Sequence, residues 1–122
     1  MKLKALTVTM IAMSITSVAV AKGENKMKGT LAKTVELSKE KKVIKPLFSE
    51  SFKVMGIGLS KGQKLETHQT PTPAFLYVQS GQVLFTMNGE KTVLAAGDYF
   101  LIPAKEMHEV EAQSDSLLML SK

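Results

Sequence analysis

The chain has two histidines, His68 and His108, and each lies in a stretch with the residue pattern of a β-strand. An imidazole can bind a ligand by hydrogen bonding, act as a general base or coordinate a metal ion. Side chains two positions apart on a strand point to the same face, so Glu66, His68 and Thr70 are expected to project together. His108 would project with Val110 on a later strand. From spacing alone, each histidine fits a hydrogen-bonded core residue or a member of a polar pocket.

A metal ion is the more demanding interpretation of the same residues. Catalytic zinc or iron sites usually have three protein ligands and an open position. His68 and His108 supply two ligands, and Glu66 would complete a set of two histidines and one carboxylate. Methionines on the strands favour Cu(I) in principle, but methionines scattered in this way more often fill gaps in a core. The residues favour no tightly bound cofactor and leave a divalent metal as the alternative.

Other catalytic chemistries find little support in the sequence. The chain has no cysteine, which excludes disulfides, zinc–thiolate sites, iron–sulfur clusters and thiol nucleophiles. It shows neither a serine–histidine–acid arrangement nor a glycine-rich phosphate loop. Glu106, Glu109 and Glu111 flank His108, where solvated charge is the ordinary interpretation. Whether the protein is an enzyme stays open at this point.

The elements that must position these residues are strands from Pro46 onward. Apolar or alternating runs of four to eight residues are separated by glycine-containing turns, and Asn88-Gly89 is a strong hairpin signal. This pattern predicts an all-β fold, a small antiparallel sandwich or barrel. The length fits one compact domain. Residues 35–42 fit a short strand or a helical turn equally well.

Two further features predict how the strands are arranged. Pro71 and Pro73 follow His68 closely, fix two φ angles and remove two backbone donors, so this segment should form a rim or edge. The apolar strand predicted over Phe52–Leu59 would leave an open sheet edge unless a second subunit paired with it. We therefore expect a homodimer.

The first 21 residues have the pattern of a secretory signal peptide. Lys2 and Lys4 precede an apolar run over Ala5–Val20, and small residues precede the expected cleavage after Ala21. A membrane anchor is the competing interpretation, but the run is shorter than the roughly 20 apolar residues of a spanning helix. The sequence predicts a periplasmic or secreted protein.

Residues 22–45 form a lysine-rich segment. Eight lysines and three glutamates give this segment a charge of +5, whereas six lysines and eight acids give residues 46–122 a charge of −2. The segment fits a solvated leader or a basic arm that holds anionic envelope surfaces. All sixteen basic side chains are lysine, so the bidentate fork of arginine is missing. We expect no nucleic-acid partner.

Two stretches, residues 62–81 and 97–108, resemble the two motifs of the cupin family. The residues that stand at the family's motif positions are Gly62, His68, Gly81, Gly97, Pro103 and His108. Four other motif positions differ: Thr70 replaces the second histidine, Ala74 the glutamate, Lys105 a glycine and Ala112 the asparagine. The resemblance extends over roughly residues 45–120 and implies a jelly roll like that of RmlC.

The resemblance also implies a site. In a cupin, His68 and His108 would face each other across the interior, with Thr70 and Glu66 at the mouth. Leu76 and Val78 would line the wall. With two of four family ligands replaced, the implied function is binding of a small molecule or envelope glycan without tightly held metal. The alternative is a metal-dependent cupin enzyme, an oxygenase or isomerase, that uses Glu66, His68 and His108.

Overall fold

A computed structural model describes residues 28–122 of the chain. The predicted signal peptide, residues 1–21, and the first part of the lysine-rich segment, residues 22–27, lie outside the described residues. Their predictions therefore stay predictions, as do the periplasmic location and the basic arm.

No helix within residues 28–122 has the length and apolar character needed to cross a membrane.

One short helix and nine antiparallel strands make up the described chain. In chain order they are α1 (Leu31–Thr34), β1 (Val43–Ser49), β2 (Lys53–Leu59), β3 (Lys64–His68), β4 (Ala74–Ser80), β5 (Gln82–Met87), β6 (Glu90–Ala95), β7 (Tyr99–Ile102), β8 (His108–Ala112) and β9 (Ser116–Ser121). This confirms the predicted all-β class. Residues 35–42 form neither the strand nor the helical turn considered for them, since the single turn of helix lies just upstream.

The strands form two sheets rather than the one closed barrel that was expected. The first sheet has the order β1-β2-β9-β4-β7 and the second the order β3-β8-β5-β6. Pro71 and Pro73 separate β3 from β4, and a proline lacks the backbone donor that would continue a ladder at this corner. The chain also changes sheets at the turn of residues 96–98, between β6 and β7. The architecture is an open jelly-roll sandwich.

The hydrophobic core fills the space between the two sheets. Its buried members come from seven strands and are Ile57, Leu59, Ala74, Leu76, Val78, Val83, Phe85, Leu94, Ile102, Val110, Ala112 and Leu118. Leu65, Met87, Phe100 and Leu120 pack against this cluster while partly exposed. These last positions mark the end of the sandwich at which the dry core gives way to a more accessible interior.

The hairpin predicted at Asn88-Gly89 is present. Both residues have positive φ angles, 52° and 79°, as a two-residue turn of the primed type requires. β5 and β6 pair in uninterrupted register on either side of this turn.

β2 lies inside the first sheet, between β1 and β9. The expectation that it forms an open edge was wrong, because β1 begins at Val43, within the segment interpreted as a leader, and pairs with it. Pro46 in β1 fits this edge position, where a missing donor costs little. The homodimer inferred from an exposed β2 therefore loses that argument and stays a prediction.

Part of the lysine-rich segment packs on the domain. Val35 is buried, and it covers the outer side of β2 at two glycines. A Cβ on Gly56 would lie 2.6 Å from Val35 Cγ2, and one on Gly58 would lie 3.0 Å from Val35 Cγ1. The glycines thus create the notch that receives this side chain. The described part of the lysine-rich segment, residues 28–45, is therefore not a leader that is solvated throughout.

Candidate functional site

The two histidines face each other on adjacent strands. His68 ends β3 and is directly opposite His108, the first residue of β8. The centroids of the two imidazole rings are 4.3 Å apart, with an angle of 60° between the ring planes. The structure therefore brings the two rings together, although across one ladder of the second sheet and not from opposite walls of a barrel.

A bulge in β3 determines which side chains share the inner face with His68. Leu65 pairs with Val110 and His68 pairs with His108, so two residues of β3 lie opposite the single residue Glu109. A bulge of this kind interrupts simple alternation. The Thr67 hydroxyl, within the bulge, donates to Glu109 Oε1 over 3.0 Å. The simple alternation from which residues 66, 68 and 70 were expected to project together is therefore interrupted between Leu65 and His68.

Backbone carbonyls fix the hydrogen position on both rings. Nδ1 of His68 lies 2.8 Å from the Glu66 carbonyl, and Nδ1 of His108 lies 2.9 Å from the Glu106 carbonyl. Because a carbonyl oxygen can only accept a hydrogen bond, each Nδ1 carries a hydrogen and donates it. The neutral rings then have a free lone pair on Nε2. Both imidazoles are oriented to accept a hydrogen bond or bind an ion through this atom.

His108 is the buried member of the pair, with only 5% of its surface exposed, whereas His68 is exposed. The Phe85 ring lies beside His108, with centroids 5.9 Å apart. Burial lowers the pKa of His108; the Glu106 carbonyl opposes this effect, and the nearby His68 lowers the pKa slightly further. The neutral form is therefore favoured at His108.

The lowered pKa of His108 predicts a pH-dependent stability. An unfolded histidine has a pKa of about 6.5, so the unfolded state binds more protons near and below that pH than the folded state does. The contribution of neutral His108 is present above this pH and is lost as the pH falls through the folded pKa. In urea unfolding of chelator-treated protein, the free energy of unfolding should decrease as the pH falls from about 7.5 to 5.5. The decrease should be smaller in His108→Gln.

The carboxylates of Glu66 and Glu109 do not add to the pH dependence of stability in the range where His108 titrates. Lys42 lowers the pKa of Glu66 and Lys64 lowers the pKa of Glu109, in both cases by donating a side-chain hydrogen bond to the carboxylate. Their contributions are lost only as the pH falls below the ordinary glutamate range of about 4.3. Identical pH profiles for the native protein and His108→Gln would contradict the assignment.

The turn before β8 aims His108 inward. Lys105 occupies the motif position at which cupins have glycine, and it has a φ of 64°, in the left-handed region that glycine adopts most easily. Its backbone N–H donates to the Thr70 carbonyl over 2.7 Å. The chain keeps the conformation of the motif turn although the glycine is replaced. The predicted role of Lys105-Glu106 as a turn agrees with this geometry.

Glu66 turns away from the two rings. Lys42 Nζ donates to Glu66 Oε1 over 2.7 Å, and 73% of the Glu66 side chain is exposed. This ion pair connects the residue just before β1 to the middle of β3. Glu66 lines the cavity described below, but its carboxylate is held by Lys42.

The remaining predicted pocket residues occupy other places. Thr70 follows β3 and donates its hydroxyl hydrogen to the Thr72 carbonyl over 2.8 Å. Leu76 and Val78 are fully buried members of the hydrophobic core. They support the site from beneath, since neither lines the accessible cavity described next.

A cavity of about 570 Å³ opens between β2 of the first sheet and β3 of the second. We call it the lysine-rimmed cavity. Its apolar lining is Ile44, Met55, Ile57, Leu65 and Leu120, and its polar lining is Lys42, Lys53, Glu66, Thr67, His68 and Lys122. Three ammonium groups and one carboxylate leave a positive rim around an apolar floor.

Most of these cavity residues could not be found from the sequence. Lys42 belongs to a run of lysines with the pattern of a solvated segment, and its position at the mouth depends on the pairing of β1 with β2. Met55 and Ile57 carry a signal, because they alternate with Gly56 and Gly58 and so predict one apolar face of a strand. The sequence does not show that this face borders a cavity.

The described residues do not offer the ligands of a hard divalent ion. Within residues 28–122, no three side chains of histidine, cysteine, aspartate or glutamate cluster closely enough to hold a metal. His68 and His108 supply two nitrogens, and Glu66 is engaged by Lys42. Iron, manganese or zinc of the kind bound by metal-dependent cupins does not fit this set of residues.

Known structures share this fold. The chain is similar to the conserved SPY1581 protein of unknown function from Streptococcus pyogenes, with a TM-score of 0.73, 22% identity and coverage of 80% of this chain and 87% of that one. It is also similar to a cupin superfamily protein from Desulfitobacterium hafniense, with a TM-score of 0.72, 14% identity and coverage of 75% and 85%. For KdgF from Halomonas sp. the TM-score is 0.63 and the identity 24%, with coverage of 68% of this chain and 78% of that one.

At these identities the similarity establishes the fold and no specific function. No match was found among curated proteins. The family profile of the cupin domain matches residues 57–120, a range that contains both histidines, the bulged strand β3 and every motif glycine. The chain belongs to the cupin family.

Proposed function

We propose that the protein binds a small organic anion with an apolar body in the lysine-rimmed cavity. The observation that carries this proposal is the combination of an apolar floor with a rim of three lysines and one glutamate. The cavity volume of about 570 Å³ falls within the range of about 300–1,000 Å³ that is usual for small-ligand sites. A ligand of this size would place its apolar part over Met55 and Ile57.

The rim favours a carboxylate, sulfonate or phosphate group on the ligand. Lys42 and Lys53 enter from the β1–β2 side, and His68 faces them from β3 with a lone pair fixed on Nε2. Lysine acts as a mobile point charge and not as a rigid fork, so it suits an anionic group of variable geometry. None of the described residues lining the cavity is phenylalanine, tyrosine or tryptophan, so a neutral sugar ring would lack the large aromatic face on which sugars usually stack. The geometry therefore supports an amphipathic anion over an envelope glycan.

The ion pair between Lys42 and Glu66 competes with such a ligand. Glu66 holds Lys42 at 2.7 Å, while its mostly exposed side chain is free to move into solvent. Exposed pairs of this kind contribute little to stability because solvent screens the charges. An entering anion can therefore take over Lys42 at small cost.

A matched pair of fluorescent probes tests the proposal. The anionic probe is 8-anilinonaphthalene-1-sulfonate, and the neutral probe is N-phenyl-1-naphthylamine, which has the same aromatic body without the sulfonate. In the double variant Lys42→Met/Lys53→Met, affinity for the anionic probe should fall about tenfold, equivalent to about 1.4 kcal/mol. Affinity for the neutral probe should stay unchanged.

Glu66→Gln supplies the opposite control. Removing the carboxylate frees Lys42, so the anionic probe should bind more tightly while the neutral probe is unaffected. Lys91→Met, on the distant β6, should change neither affinity. The proposal fails if the double lysine variant binds both probes as the native protein does.

The metal-dependent enzyme is the second candidate. The observation in its favour is that Nε2 of both His68 and His108 is free to coordinate an ion. Glu66, the third residue of that prediction, would first have to leave Lys42. The described geometry favours the anion-binding function, which needs no such rearrangement.

A further inference from the structure

The outer face of the first sheet carries a row of uncharged side chains that crosses all five strands. Each member of the row is directly opposite the next in the strand order from β1 to β7. The members are Phe48, Val54, Ser121, Phe75 and Leu101. Phe75 and Leu101 each precede a buried core residue on their strand, so their side chains point away from the core. We call these five residues the outer row.

Two further aromatic rings widen the outer row. Phe52 lies against Phe48 with ring centroids 4.9 Å apart, and Tyr99 lies against Phe75 with centroids 5.4 Å apart. All four rings are exposed, and so is Leu101. Single apolar side chains on a surface are ordinary, whereas a contiguous set of this size indicates an interaction site.

The chain itself covers the neighbouring part of this face. Val35 fills the notch over Gly56 and Gly58 on β2, and the side chain of Leu31 lies beside it. Over β4 and β7, the outer face stays exposed within residues 28–122. One part of the sheet's outer face is therefore packed by the described chain, while an equally apolar part is left open.

The open part ends at the less protected edge of the sheet. The opposite edge, β1, contains Pro46 and a shift in register beside it, and both features discourage pairing with a further strand. β7 consists of Tyr99, Phe100, Leu101 and Ile102, with neither a charge nor a proline, and its register with β4 is uninterrupted. A partner that covers this end of the outer row would also shield the edge.

The exposed area suits a second copy of the chain. Aromatic side chains have about 150–250 Å² of surface each, so the five exposed apolar side chains together present roughly 500 Å². With its polar border, this patch approaches the roughly 800 Å² per partner that a standard stable interface buries.

The charge of the patch favours self-association over a charged partner. The outer row, Phe52 and Tyr99 carry no charge, although the chain has a formal net charge of +5. Two copies can therefore join at this face without bringing like charges together. A surface for an oppositely charged partner would carry complementary charges instead.

We propose that two copies of the chain form a dimer by packing their outer rows against each other about a two-fold axis. Both copies then use the same surface. A groove of about 450 Å³ lined by Phe52, Phe75 and Leu101 gives each copy a place for a side chain of the other. This interface differs from the β2 edge expected from the sequence. It is separate from anion binding, because the lysine-rimmed cavity opens between the sheets.

Light scattering after size-exclusion chromatography measures the mass of the full chain in solution. The native protein should have the mass of two chains. In Tyr99→Lys/Leu101→Lys, charges enter the apolar interface from both copies, so the dissociation constant of the dimer should rise at least a hundredfold. Tyr99 and Leu101 are 60% and 64% exposed in the single chain, so the variant should stay folded by circular dichroism.

Val93→Lys is the matched control. Val93 is 54% exposed on β6 of the second sheet, and a lysine there should leave the mass of two chains unchanged. Hydrogen exchange of the native protein tests the interface without any variant. Amides of β7 should exchange more slowly in concentrated than in dilute protein, while those of β6 should exchange at the same rate in both.

Three results would overturn the proposal. The first is a native protein with the mass of one chain at every concentration, and the second is a double lysine variant that dimerises as the native protein does. The third concerns a membrane as the occupant of this face. It is a monomeric native protein that sediments with phosphatidylglycerol vesicles while the double lysine variant does not.

Discussion

Gly81→Ala is expected to lower the free energy of unfolding by about 3 kcal/mol, the sum of left-handed strain of roughly 1–2 kcal/mol and an overpacking cost of about 1–3 kcal/mol. Gly81 connects β4 to β5 and has a φ of 86°. A Cβ at this position would overlap the Asp115 carbonyl oxygen and the Ser116 hydroxyl, and it would lie 2.7 Å from Ser116 Cα. Two of these three atoms belong to the backbone and cannot turn aside.

The overlap would also disturb the contacts that hold the two sheets together at this end. Ser116 Oγ accepts a hydrogen bond from the Gln82 N–H over 3.1 Å and donates one to the Ser114 carbonyl over 2.7 Å. Moving Ser116 to admit a methyl group would break this buried connection between β5 and β9. The glycine of the first motif is thus required by the close approach of another strand as well as by its own φ angle.

Gly97→Ala is the matched control for Gly81→Ala. Gly97 has a similar φ of 93°, but a Cβ there would meet nothing within 4 Å. Its substitution should cost only the left-handed strain of roughly 1–2 kcal/mol. Urea unfolding of the two variants separates strain from overlap. Equal losses of stability in both would contradict the close contact described for Gly81.

Met55→Trp is expected to abolish binding of small ligands in the lysine-rimmed cavity. Met55 lines the floor of the cavity beside Leu120, its partner on β9. An indole ring at this position would occupy the space that the apolar part of a ligand needs. The affinity for both naphthalene probes should fall at least tenfold, unlike in the lysine variants, which affect only the anionic probe. Fluorescence titration measures both losses.

Leu101→Trp provides the control for this substitution. Leu101 lies on the edge strand β7 of the first sheet with 64% of its surface exposed, and it does not belong to the lining of the lysine-rimmed cavity. A tryptophan there adds the same ring without entering the cavity, so both probes should bind as they do to the native protein. If Leu101→Trp lost binding while Met55→Trp kept it, the probes would bind near Leu101 and not in the lysine-rimmed cavity, which would contradict the prediction.

The fold was predictable because its signals are local. Asn88-Gly89 requires two positive φ angles, and the glycines of both motifs fall at turns where the backbone needs them. Alternation identified the strands that carry His68 and His108. Sheet order was not predictable in the same way, since β1 begins inside a lysine-rich stretch and closes over a strand that had been expected to form an edge.

The candidate site was predictable only in part. The pairing of His68 with His108 followed from the motif resemblance, but the bulge at residues 66 and 67 changes which side chains accompany them. A bulge adds one residue to a strand without any obligatory sequence signal. Lys42 reaches the interior through pairing between strands distant in sequence, which alternation within one strand cannot reveal.

Binding of an amphipathic anion in the lysine-rimmed cavity is measured most directly by NMR. The protein is labelled with ¹³C at the methionine methyl groups, and its methyl spectrum is recorded during a titration with 8-anilinonaphthalene-1-sulfonate. Binding in the lysine-rimmed cavity should shift the Met55 signal strongly and leave the Met119 signal, in the adjoining strand but on the opposite face of the same sheet, in place. A titration that shifts Met119 while the Met55 signal stays fixed would contradict the account.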